Sequence, residues 1–153
     1  MVEQATHLFD LARYLIGDAE VATSLVTRTA HPNRPEADVA GASTASLLFD
    51  NGAIGVFNAS CVLGKSESVN LTLICDGVLI TITQTEVTFS TADGAQLVQS
   101  STDAVANQNL AFLSAVREKD PSLMYCSYAD AFETHKLCLS VARKAERSAI
   151  LSL

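Results

Sequence analysis

The sequence predicts an α+β domain built as a largely antiparallel open sheet with helices packed on one face. Three observations predict it. Tight-turn signals at Asp50-Asn51-Gly52, Asp76-Gly77 and Asp93-Gly94 punctuate the middle of the chain, each between runs that alternate apolar with hydroxyl residues. That is the pattern of half-buried strands joined by hairpins. Segments with helical periodicity lie at the two ends, so strands do not alternate with helices as a parallel sheet would require. The 153 residues are of ordinary single-domain size and no linker or repeat divides them, so residues 1–153 are expected to form one domain.

The first element is a helix closed by Gly17-Asp18. Glu3, His7, Asp10 and Tyr14 fall on one stripe, and Leu8, Leu11, Ala12 and Leu15 form an opposing apolar stripe expected to face the core. Val21 to Thr29 reads as a strand, and His31 to Glu36, with two prolines, as a mobile loop. Strands follow at 43–49 and 54–62, 69–75 and 78–83, and 86–91 and 96–100. Their second face carries Thr and Ser where a solvated face usually carries more charge. It reads either as plain β surface, using Thr for its propensity, or as a packing surface for another subunit.

Thr102 or Asp103 caps a helix running to about Lys119, with Leu110, Leu113 and Val116 as its core stripe and Asp120-Pro121 as its stop. Ser127 and Asp130 resemble a cap for a long helix to about Arg147, with Ala131, Leu139 and Ala142 along one face. Ile150 to Leu153 reads as a short closing strand.

Charge and composition exclude several functions. Ten basic against seventeen acidic residues give a net charge of −7, with no basic cluster, which argues against nucleic acid and anionic membranes as partners. No apolar run approaches the ~20 residues of a membrane span and the N-terminus does not read as a secretion signal, so a cytoplasmic location is expected. The seven glycines never form Gly-x-Gly-x-x-Gly or a Walker loop, so no cofactor-binding residue is expected in this chain. Cys61, Cys75, Cys126 and Cys138 lack metal-ligand spacing and are expected to be free, mostly buried thiols. His31 and His135 read as ordinary residues, and no metal site is expected. Lys65, Tyr125 and Tyr128 are further candidates for substrate hydroxyl contacts, unranked by the sequence.

The chemistry concentrates on the first helix. Glu3 one turn before His7 can orient the imidazole and favour its charged form, an acid/base arrangement. On spacing alone the pair reads first as a solvated helix face.

The string Glu3-Gln4-Ala5-Thr6-His7-Leu8-Phe9-Asp10-Leu11-Ala12-Arg13-Tyr14-Leu15-Ile16-Gly17 resembles the helix that opens the C-terminal domain of the glucose-fructose oxidoreductase / inositol dehydrogenase (Gfo/Idh/MocA) family. Phe49 to Gly55 resembles the family's central hairpin, and Tyr128-Ala129-Asp130-Ala131 its terminal helix. Glu3 stands where the family commonly has Asp, and Arg147-Ser148-Ala149 where it usually has Gly-Lys. The resemblance implies a substrate-binding domain without the dinucleotide-binding half, which elsewhere carries the phosphate loop and a catalytic Lys.

It also implies His7 and Glu3 as catalytic residues, Arg13 and Tyr14 as substrate contacts, and dimerisation through the open sheet face. A sugar, cyclitol or related polyol would be the substrate. In a complete enzyme with NAD or NADP, His7 would exchange the hydroxyl proton as hydride moves to the nicotinamide. Alone, the chain would be inactive. Two other readings stay open: a standalone small-molecule binding or subunit-pairing module without catalysis, and a structural dimer scaffold.

Overall fold

A computed structural model describes residues 5–27, 40–63 and 69–150. The order is helix α1 (Thr6–Ile16), strands β1 (Ala19–Val26), β2 (Ala42–Phe49), β3 (Ile54–Ser60), β4 (Leu71–Cys75), β5 (Val78–Ile82), β6 (Glu86–Thr91) and β7 (Gly94–Gln99), helix α2 (Ala104–Glu118), a 3₁₀ turn at Pro121–Leu123, and helix α3 (Tyr128–Ile150). The α+β class and the antiparallel pairing stand as expected. The strands fall into two open sheets, β1-β2-β3 and β4-β5-β6-β7. They belong to two compact units, residues 1–67 with 131–153 and residues 68–130. The loop expected at 31–36, Lys65 and all but the first residue of the closing strand lie outside the described residues, and Ile150 itself is helical.

In the first unit the sheet follows the alternation rule. Ala45, Leu47 and Phe49 of β2 and Phe57 of β3 are buried, and Ser24 of β1, opposite Ala45, joins the same face. Helices α1 and α3 cover that face with Phe9, Ala12, Leu137, Cys138 and Val141, all at most 7% exposed. Phe9 stacks on Phe57 with ring centroids 4.6 Å apart. Gly55 must lack a side chain here, since a Cβ would lie 2.9 Å from Phe57 Cε2 and 3.0 Å from Phe49 Cε2. The other face is open and leaves Leu25, Leu48, Ile54 and Val56 exposed.

The buried stripe of α1 differs from the expected one. Ala5, Phe9 and Ala12 are buried, Leu8 and Leu11 are partly exposed and Leu15 is 44% exposed. Phe9 sets this rotation, because the largest apolar side chain of the helix gains most from burial. On α3 the buried line is Thr134, Leu137, Cys138, Val141 and Ala145, while Ala131 and Leu139 face outward. The turn joining β2 to β3 is bonded to the end of α1: Asn51 Nδ2 donates to the Ile16 carbonyl at 3.2 Å and the Asp50 amide to the Asp18 carbonyl at 3.0 Å. Only Gly52 of this turn has positive φ, +87°. Asn51 contributes instead by accepting from the Ala53 amide.

In the second unit the four strands form a meander in which Leu71, Leu73, Val78, Ile80, Ile82, Val87 and Val98 share a face by register. Asp103 caps α2, its carboxylate accepting from the amides of Val105 and Ala106 at 2.9 and 3.0 Å. The expected core stripe of α2 is not buried: Leu110, Leu113 and Val116 are each more than half exposed, and Ala115 alone on this helix is buried. The 3₁₀ turn that follows it lies against its end, and three residues are too few to cover a stripe four turns long. Lys119 ends α2 in the left-handed conformation and Asp120 caps the 3₁₀ turn through the Ser122 amide. The Ser127 hydroxyl accepts from the Asp130 amide at the start of α3.

The expectation for the cysteines holds in part. None of the four is in a disulfide, but only Cys138 is buried. Cys61 is intermediate, and Cys75 and Cys126 are exposed.

Candidate functional site

Helix α1 carries the residues singled out by the sequence, and each of its sides has a different fate. One side is buried through Ala5, Phe9 and Ala12. A second meets α3 through hydrogen bonds. Thr134, 2% exposed, donates from its hydroxyl to Asp10 Oδ1 at 2.6 Å and accepts from Arg13 Nη1 at 2.8 Å. Arg13 also reaches Asp18, with Nε and Nη2 at 3.0 and 2.9 Å from Oδ1. Its side chain is 10% exposed against 68% for Asp18, so the charge-assisted pair ties a largely covered side chain to a surface carboxylate. One turn along α3, Cys138 Sγ lies 3.7 Å from Thr6 Oγ1. Burial raises the Cys138 thiol pKa above its ordinary value, against a smaller lowering by the Thr6 contact.

The third side is open and holds His7, exposed, and Tyr14, 85% exposed. His7 and Tyr14 are two turns apart and project from the same side of the helix. Arg13 faces α3 and borders a groove of about 620 Å³ together with Asp18, Glu20, Asp50, Lys136 and Ser140. Glu3 lies outside the described residues. His135 is exposed on α3. Sequence reasoning placed no role on Thr134. The signal was a hydroxyl inside an otherwise apolar line of α3, since a buried polar side chain requires partners.

Among the described residues no three His, Cys, Asp or Glu side chains gather to hold a metal, and no helix is long and apolar enough to cross a membrane. Every strand pair among the described residues is antiparallel, so they hold no β-α-β unit, the arrangement in which a glycine-rich loop and a helix N-terminus meet a pyrophosphate.

Several solved structures share this architecture. A protein provisionally assigned as an oxidoreductase, from Erwinia carotovora atroseptica SCRI1043, is similar at 25% identity and a TM-score of 0.71, with 92% of this chain and 46% of that one covered. The UDP-N-acetylglucosamine 3-dehydrogenase of Acidithiobacillus ferrooxidans is similar at 18% identity and a TM-score of 0.76, over 94% of this chain and 46% of that one. Levoglucosan dehydrogenase, in complex with NADH and levoglucosan, is similar at 18% identity and a TM-score of 0.74, over 95% and 47%. The chain thus spans just under half the length of these proteins. No curated protein matches it. The profile of the GFO/IDH/MocA C-terminal domain matches residues 1–81. The chain belongs to this family, as a C-terminal domain.

Proposed function

We propose that this chain is the substrate-binding and dimerisation domain of an NAD(P)-dependent oxidoreductase acting on a sugar, cyclitol or related polyol in the cytoplasm. The observation that carries the reading is the division of α1. Two of its sides are fixed by packing and hydrogen bonds, and the third presents His7 and Tyr14 to solvent, on a domain of a family with sugar dehydrogenases among its structural neighbours. His7 exchanges the proton of the substrate hydroxyl being oxidised, and Glu3 orients His7 or binds an adjacent hydroxyl. Tyr14 and Arg13 contact further hydroxyls. NAD or NADP supplies the redox chemistry and belongs to a dinucleotide-binding domain. The chain alone is therefore inactive. The open face of the β1-β2-β3 sheet pairs two copies.

A thermal-shift panel of sugars, cyclitols and linear polyols against the purified protein tests this reading. A ligand at a hundred times its Kd stabilises the fold by about 2.7 kcal/mol, and His7→Ala is expected to lose most of that protection. Protection by no polyol removes the substrate-binding role. Unchanged protection in His7→Ala removes His7 from the site and favours a dimer scaffold. NAD(P)-dependent turnover by the chain alone overturns its predicted inactivity.

A further inference from the structure

We propose that Thr134 is a positioning residue for the site just described: its buried hydroxyl fixes the roll of α1 about its own axis, and so the direction in which His7 and Tyr14 project. The role rests on the proposed function, while the clamp stands on geometry alone. Ala5, Phe9 and Ala12 choose which side of α1 is buried, but apolar contacts are non-directional and leave the helix room to roll within that side. Direction comes from the hydroxyl. Thr134 binds Asp10 and Arg13 at once, at 2.6 and 2.8 Å, and these two residues stand one turn apart on α1. On an ideal helix they are about 60° apart around the axis, and Asp10 is about 60° from His7. A roll in one direction stretches the bond to Asp10, and a roll in the other stretches the bond to Arg13.

Thr134 does this from inside the packed line of α3, where it is 2% exposed. A side chain that no solvent reaches and that cannot touch substrate itself holds two residues of the helix that does. Its hydroxyl bridges the Asp10 carboxylate and the Arg13 guanidinium, and the same guanidinium reaches Asp18 at the end of the helix. A positioning error of 1 Å at a reacting group can cost on the order of 10²-fold in rate, so loss of the clamp is expected to appear in turnover.

The test compares Thr134→Val, which keeps shape and removes the hydroxyl, with Thr134→Ser, which restores it. Val141→Ala serves as a control that opens the buried line of α3 two turns from Thr134 without touching the clamp. In the purified 153-residue protein, Thr134→Val is expected to move the ring resonances of His7 and Tyr14. Thr134→Ser is expected to return them to the parent positions, and Val141→Ala to leave them in place. If Thr134→Val does not fold, Asp10→Ala removes one arm of the clamp and is expected to move the same resonances.

In the enzyme that joins this chain to a dinucleotide-binding domain, Thr134→Val is expected to lower kcat by about 10- to 100-fold, with rescue by Thr134→Ser. Unmoved resonances in Thr134→Val and Asp10→Ala overturn the clamp, as does a shift in Val141→Ala of equal size. Absence of polyol turnover in the parent enzyme counts against the proposed function only, because the resonances report the clamp without catalysis.

Discussion

Cys138 shows how one atom's surroundings set a whole-protein property. It is fully buried on α3, and burial, the leading influence, raises its thiol pKa above the ordinary 9.0. The folded state therefore keeps its proton at pH values where the unfolded chain has lost it. The resulting stabilisation is fully present below the ordinary thiol pKa and is lost as pH rises through the raised one. We expect denaturant melts to show stability falling above about pH 9, with a shallower decline in Cys138→Ala once its lower baseline is subtracted. A thiol reagent at neutral pH is expected to label Cys75 and Cys126 in the native state and Cys138 only on unfolding. Cys138 follows the expectation of a buried thiol. Cys75 was not legible, because it ends β4 opposite Val78 beside a two-residue turn, where the sheet face no longer has cover.

At the scale of elements, the three hairpins were the most legible features, since a glycine at the turn and alternation on both flanks specify turn and register together. Helix faces were less legible. Four leucine or alanine positions on α1 satisfied the helical period, but the buried side is set by Phe9 against Phe57, a partner 48 residues away that periodicity does not contain. The same holds for Thr134, whose two partners lie 124 and 121 residues away. The caps of α2 were readable because they are local. Asp103→Ala removes the acceptor for two amides and is expected to destabilise the fold by about 1 kcal/mol. A urea melt would show this as a lower midpoint at unchanged slope; no change would mean that α2 does not unfold with the rest.

For the whole molecule, charge argues against nucleic acid as a partner only as an expectation, and composition left the meaning of the semi-polar sheet faces open. On the open face of β1-β2-β3, Ile54 and Val56 are 78% and 64% exposed beside Leu25 and Leu48. Such a cluster suits an interface between copies. Val56→Lys is expected to convert a dimer to a monomer in sedimentation velocity with the unfolding midpoint of the monomer retained; an unchanged sedimentation coefficient places the contact elsewhere.

The anchoring of α1 at both its middle and its end bears on how this protein can change. Thr134 holds the middle, and Asn51 and the Asp50 amide hold the hairpin to the helix end. Tyr14, joined to none of these anchors and open to solvent, can be exchanged without disturbing them, whereas Arg13 cannot. In a lineage under selection for a new substrate, accepted substitutions would accumulate at Tyr14 and its outward neighbours, and the anchoring residues would stay as the inherited frame on which such drift is possible.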